Sequence, residues 1–431
     1  MPNLSIHSGT RLAGVAAVLA LTTACSDITA LKQSNPGQLS GGTIYVPANA
    51  QLLVNGVIAD FDCAFARYVA GSGLLADELI NAIANPSNYD YERRTLLSNA
   101  PYGTGGCGGA NQQPSIYTTL STARGVADTA LAKLEGWTDA EVPNRNKLMG
   151  QAAAYAGYSL TLLGEGMCSA AINLGPEMTP AELFTEAKAR FDKAVGAATT
   201  ANDAATLNLA LVGRARVLAN TNNLAAAATD AALIPATFVY NFTPGTSTDT
   251  RRQNFVFLHT AQNSHASIDP SFRAVTLNGA PDPRVAVTNT GRNGTAPGTV
   301  IWSANKHSSV GTAMPIAKYA EAQLIVAEAK AAANDLAGAA AAINAARNTR
   351  TGMPQYDVTG QTAADVRAQI IEERRRELFL EGHRLGDIRR FQVPLNPAPG
   401  TAYTTGGGTY GDQSCFPLPD VEKINNPNIS K

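Results

Sequence analysis

A surplus of charge of either sign is missing from this sequence: 33 Lys and Arg face 34 Asp and Glu in 431 residues, a formal net charge of −1. Without a net field, nucleic acid is not an expected partner. Histidine is scarce too, at five residues, and no His-Glu-x-x-His pair occurs. Nothing in that spacing predicts a metal centre. The chain has no Gly-x-Ser-x-Gly elbow and no phosphate loop ending in Gly-Lys-Ser/Thr, which removes the usual grounds for a serine hydrolase or a P-loop enzyme. Gly103-x-Gly105-x-x-Gly108 has the spacing of a dinucleotide fingerprint, but Pro101 stands upstream, no strand leads in and no helix opens on it. A glycine-rich loop around Cys107 is the plainer reading. Beyond the N-terminus no segment is apolar enough for the roughly 20-residue span of a bilayer. The expectation is a protein that is not an enzyme and needs no cofactor.

What is there begins with Arg11 and the apolar run Leu12–Leu21, too short to span a membrane and suited to the core of a secretory signal. Thr22, Thr23 and Ala24 lead directly to Cys25. That junction resembles a bacterial lipobox, with Thr22 where leucine is usual, and implies a signal peptide over 1–24 and an acylated Cys25. Several acyl chains on one residue hold a protein at a membrane more firmly than one chain can. Ser26 after the cysteine resembles the signal for release to the outer membrane. Cleavage leaves 32 basic and 34 acidic residues, a formal charge of −2. Residues 25–47 read as the lipidated cysteine and a flexible tether. Four cysteines then remain, Cys63, Cys107, Cys168 and Cys415. An even number in an exported chain suggests two disulfides, with all three pairings open.

The rest, 48–431, reads as one domain, mostly α. Helical spacing covers about 48–84 and stops at Asn85-Pro86; 85–112 reads as a loop. Helical pairs follow over about 148–233 and 315–390. Thr179-Pro180-Ala181-Glu182 has the make-up of a capping box with proline in the first turn. The pairs 206–220 with 223–233, and 315–333 with 335–348, are rich in alanine, which lets helices approach closely as in tetratricopeptide-like hairpins. Between the pairs, 236–305 changes character: Phe238, Tyr240 and Phe242 alternate, as do Phe255 and Phe257, and Val300 and Trp302. Period-two aromatics among Gly, Pro and Thr predict short strands or extended loops.

Four segments together resemble the SusD/RagB family of outer-membrane nutrient-binding lipoproteins. The first runs Pro315-Ile316-Ala317-Lys318-Tyr319-Ala320-Glu321-Ala322 through Glu328-Ala329, followed by Ala342-Ile343-Asn344-Ala345-Ala346-Arg347. The second is Ile371-Glu372-Glu373-Arg374-Arg375-Arg376-Glu377-Leu378-Phe379-Leu380-Glu381-Gly382-His383-Arg384, then Asp387, Arg389 and Arg390. Phe416-Pro417-Leu418-Pro419 with Asn426-Pro427-Asn428-Ile429 is the third; Asp282-Pro283-Arg284 and Ala76-Asp77-Glu78 make the fourth. The resemblance implies tetratricopeptide-like helical pairs carrying an irregular loop and short-strand ligand face. It also implies a cell-surface-facing lipoprotein that caps a TonB-dependent, SusC/RagA-like transporter.

The charged stretch 372–390 holds six Arg against five acids. A phosphate-binding patch would not be neutralised by its own neighbours, so these charges are read as pairing with one another and with helix ends. His383 among them is read as a hydrogen-bonded structural residue. Ligand chemistry is left to aromatics beside polar groups, since sugars offer apolar C–H faces and many hydroxyls. The candidates are Trp302, Tyr240, Phe242 and Asn254 in the insertion, and Tyr89, Tyr91 and Tyr102 in the 85–112 loop. The expected function is non-catalytic binding of an oligosaccharide and its delivery to the transporter. The alternatives are an envelope scaffold that holds other proteins, and a hydrolase, which would require a carboxylate pair in a cleft.

Overall fold

The computed structural model describes residues 41–107, 113–245 and 250–429. The signal peptide, Cys25, most of the tether and Gly108 of the glycine fingerprint lie outside the described residues. Gly41–Ile44 is one helical turn, in a unit that ends at Val46. A second unit starts at Pro47 and carries the elements below.

Helix α1 (Ala50–Leu75) packs on α3 (Tyr117–Gly136) and α4 (Arg145–Gly166). From there the chain stacks in sequence order: α4 on α5 (Pro180–Thr200), α5 on α6 (Ala204–Asn220), α6 on α7 (Leu224–Ala231). A later hairpin, α8 (Tyr319–Ala332) and α9 (Leu336–Arg347), joins this stack through α7, and α10 (Ala363–Glu377) covers it. This is the tetratricopeptide-like architecture. Capping explains where its helices start: Thr179 and Thr362 each close a capping box, and Asp203 and Asp335 cap α6 and α9. Small residues explain how closely the helices approach. The Phe191 ring of α5 fills slots left by Gly157 of α4 and Gly213 of α6; a Cβ at Gly157 would stand 2.8 Å from that ring. The short helix α2 (Pro86–Arg93) lies inside the segment expected to be a loop, started by the Asn85 side chain accepting from the Ser87 N–H at 3.2 Å.

Four two-stranded sheets make up the rest of the regular structure among the described residues: β1 (Leu79–Asn81) with β3 (Ala266–Ile268), β2 (Val239–Phe242) with β8 (Met314–Lys318), β4 (Thr276–Leu277) with β5 (Ala280–Pro281), and β6 (Val287–Asn293) with β7 (Val300–Ala304). Two expectations need correction. Residues 315–318 are strand, because they pair with β2 before α8 begins. Phe255–Phe257 are a helical turn leading into a π-helical Leu258–Gln262, because the Asn254 side chain caps the Phe257 N–H at 3.0 Å.

The arginine-rich helix serves as an ionic hub. Glu373 sits between Arg284 and Arg347, each at 2.5 Å; Arg374 meets Asp387 at 2.9 Å; Arg384 of α11 (Arg384–Phe391) meets Asp77 at 2.6 Å. His383 is buried with Nε2 3.2 Å from Arg216, and burial holds its pKa well below the ordinary range. Cys63 is bonded to Cys107, and Cys168, just past the end of α4, to Cys415 in the C-terminal segment. Arg389 ties the same place by donating to the carbonyls of Glu165 (2.7 Å) and Met167 (3.0 Å). The chain closes with α12 (Asp420–Asn425). No helix among the described residues is long and apolar enough to cross a membrane.

Candidate ligand groove

The β1–β3 pair brings the chain after α1 against the insertion, and the contact continues past the strands. The Ala82 N–H donates to the His265 carbonyl (2.9 Å), the Ala296 N–H to the Ala82 carbonyl (3.0 Å), and the Ala84 N–H to Thr295 Oγ1 (3.0 Å). Three stretches far apart in sequence are thereby laced around a cleft of about 410 Å³, walled by Ile83–Pro86, Asn263–His265, Asn293 and Thr295. Gly294 makes the lacing possible, since a Cβ there would overlap the Ala82 carbonyl.

The walls are polar and almost uncharged. The carboxamides of Asn263 and Asn293 have no hydrogen-bond partner among the described residues, and each can offer two donors and an acceptor. Ser264 holds a left-handed backbone conformation (φ 58°) that turns the chain at the rim. His265 is half-buried, and burial lowers its pKa, so its ring is neutral near pH 7. Behind it His259, edge-on at 5.5 Å, is fully buried with its pKa lowered to about 3, mainly by burial. Arg292, at the outside, donates to the Gln262 carbonyl (3.2 Å). No carboxylate lines the groove among the described residues, so it has no acid–base pair for glycoside hydrolysis. Amides, hydroxyls and an imidazole suit a ligand dense in hydroxyl groups.

The aromatic candidates are elsewhere. Tyr91 is buried, its hydroxyl donating to the Pro114 carbonyl (2.8 Å), and Tyr102 is buried with its hydroxyl on the Pro417 carbonyl (2.8 Å). Phe242 and Asn254 are fully buried as well, Asn254 capping a helix and meeting His307 at 3.0 Å. These four are removed from the surface by packing and cannot touch a ligand there. Tyr89 is half-buried, 5.9 Å from Tyr403; Tyr240 is half-buried, its hydroxyl 3.4 Å from that of Tyr155; Trp302 is half-buried on β7 with Arg273 5.6 Å over its ring. The structure brings the two suspected loops together, but through Asn and Thr positions that the aromatic criterion passed over. The available signal was the clustering of Asn263-Ser264 and Asn293-Gly294-Thr295, both turn-forming runs inside the insertion. Among the described residues no group of three or more His, Cys, Asp or Glu is placed to hold a metal ion.

A stack of tetratricopeptide-like hairpins with a loop-built groove on one side defines a class of helical binding proteins. Residues 240–426 match the model of the SusD family. Solved structures share the fold. A SusD superfamily protein from Bacteroides vulgatus superimposes with a TM-score of 0.66 at 16% identity, covering 89% of this chain and 98% of its own. A SusD-like carbohydrate binding protein from the same species gives 0.62 at 18%, over 89% and 97%. A surface glycan-binding protein A from Bacteroides uniformis gives 0.64 at 14%, over 88% and 98%. No curated protein matches the chain in sequence.

Proposed function

We propose that this protein is a non-catalytic saccharide-binding lipoprotein of a bacterial outer membrane, anchored through Cys25 and facing the cell surface. It captures an oligosaccharide and passes it to a TonB-dependent, SusC/RagA-like transporter. The observation that carries the reading is the uncharged amide- and hydroxyl-lined groove on a SusD-like fold, in which Asn263 and Asn293 have no side-chain hydrogen bond among the described residues. The names of two structural neighbours, a carbohydrate binding protein and a surface glycan-binding protein, support the ligand class. The test is calorimetric titration of the mature chain with soluble starch, xylan, pectin and host-glycan oligosaccharides. Binding of one class, weakened about tenfold or more by Asn263→Ala or Asn293→Ala at unchanged thermal stability, is the expected result. No affinity for any of them would remove the saccharide role. Native co-purification from detergent-solubilised outer membranes tests delivery, through a stoichiometric TonB-dependent barrel.

A second reading, an envelope scaffold for other proteins, has one observation in its favour. A cleft of about 790 Å³ runs between the helical pairs, walled by Phe184, Leu224, Arg367 and Phe391 among others. Recovery with envelope proteins and without a barrel would favour it.

A further inference from the structure

A separate cavity of about 750 Å³ shares no lining residue with the Asn-rich groove. It opens between the β2–β8 pair and the chain that leaves α9 and α10. Exposed Thr237, Val239, Ala313 and Asn348 form its rim, and half-buried Phe238 and Tyr319 form apolar walls.

Charge collects at its floor. Lys318 is almost wholly occupied: its Nζ donates to the Glu377 carbonyl (2.9 Å) and lies 3.0 Å from Glu377 Oε1 and 2.7 Å from Glu381 Oε2. Two more cations stand on the open side. Lys306 reaches Glu381 Oε1 at 2.8 Å, and Arg350 pairs with Glu377 Oε2. Three cations thus meet two carboxylates, a local excess of one positive charge. His307 in the same wall adds none, because burial holds its pKa at about 3. Lys318 bridges both carboxylates from inside, and Lys306 and Arg350 each meet one of them from the open side. Removing further cations from water costs free energy unless they gain partners. Lys306 and Arg350 are only partly removed from water: their side chains keep 27% and 33% of their exposure, although burial lowers the Lys306 pKa. Arg350 makes one side-chain hydrogen bond, leaving the rest of its five-donor fork without a protein partner among the described residues. An unspent guanidinium fork beside an ammonium, in a pocket with an apolar wall, is the equipment for a carboxylate attached to a small ring.

We propose that this cavity is a second ligand site, which takes a carboxylate-bearing small molecule of sugar-acid size, with Arg350 and Lys306 on the carboxylate and Phe238 and Tyr319 against its ring. The site does not depend on what the Asn-rich groove binds.

The mature chain is titrated by NMR with glucuronate, glucose and acetate. Glucuronate is expected to bind and glucose to leave these residues unmoved; acetate reports whether the ring is read. Acetate binding about tenfold weaker is expected if the ring rests on Phe238 and Tyr319, and acetate binding as tightly as glucuronate would overturn the sugar-acid assignment. Arg350→Gln and Lys306→Met should each weaken glucuronate about tenfold or more, the scale of a charge-assisted hydrogen bond, and rising salt should weaken it further. Because charge removal could disturb the fold, Ala313→Trp is the companion variant: it keeps every charge, sits at an exposed position and narrows the mouth. Asn263→Ala should change nothing here, which separates a failure of this site from a failure of the groove. Equal binding of glucuronate and glucose, no binding of glucuronate, or an affinity unmoved by Arg350→Gln and Ala313→Trp would overturn the proposal.

Discussion

Ala82 and Gly294 approach each other so closely that a Cβ on residue 294 would stand 2.8 Å from the Ala82 methyl carbon and overlap its carbonyl. Gly294 does not have a positive φ, so the residue is required by space and not by backbone conformation. Gly294→Ala should push the insertion away from the β1 side of the groove and strain the Ala82 and Ala84 hydrogen bonds. A stability loss of about 1–3 kcal/mol is expected from such overpacking, with saccharide affinity falling together with the thermal midpoint. Calorimetry and thermal melts check both, and a variant unchanged in either respect would show that the approach is not needed.

Trp302 is the obvious sugar platform in the sequence, yet its ring packs on the core beneath Arg273 and does not line the groove. Trp302→Ala is expected to lower the thermal midpoint and leave saccharide affinity within about twofold, because a half-buried aromatic contributes area and little else here. A large loss of affinity at unchanged stability would restore the ring to the site.

Glu78 gives a pH-dependent test. Burial raises its pKa from 4.5 to about 7, although Oε1 accepts the Leu380 N–H at 2.7 Å. Its pKa is higher folded than unfolded, so its contribution is complete below the unfolded value and is lost as pH rises through the folded one. The loss is at most about 3 kcal/mol. Asp62 and Glu321, also raised to about 7 by burial, act in the same direction, while His259 and His307, lowered to about 3, act in the opposite one. Glu78→Gln is neutral throughout, so its stability relative to wild type should increase from about pH 5 to about pH 8. Denaturant melts that show the same difference at both pH values would rule this out.

Glu373 is buried and holds two guanidinium groups, and burying a charge without its partner is costly. Glu373→Gln should lower stability by about 3–5 kcal/mol. Its neighbour Glu372 keeps 34% of its side-chain exposure in its pairs with Arg375 and Arg376, and Glu372→Gln should cost less than about 1 kcal/mol. Urea unfolding of the two variants compares them directly; equal losses would mean that burial does not set the difference.

Much of the helical stack is legible because its causes are local. The Thr179 box and the Glu372 pairs with Arg375 and Arg376 act within a few residues of one another. The resemblance rested on four scattered segments, and the structure shows why they travel together: Asp77 of one pairs with Arg384 of another, and Arg284 with Glu373. The groove was not legible. It is made by Ala82, His265 and Thr295 meeting across sequence gaps that no periodicity reports, and its polar side chains look like ordinary turn residues. The aromatic criterion failed at Tyr91 and Tyr102 for a related reason: each hydroxyl found a buried carbonyl, so the rings could go inside. Strand β8 was misjudged because its partner β2 lies more than seventy residues away.

The bond between Cys168 and Cys415 encloses most of the chain. A protease that cuts anywhere between those two residues produces two fragments that remain one covalent molecule, with Arg389 gripping the same junction from inside. A nick in the 236–305 insertion therefore leaves a scar and not the loss of half the protein.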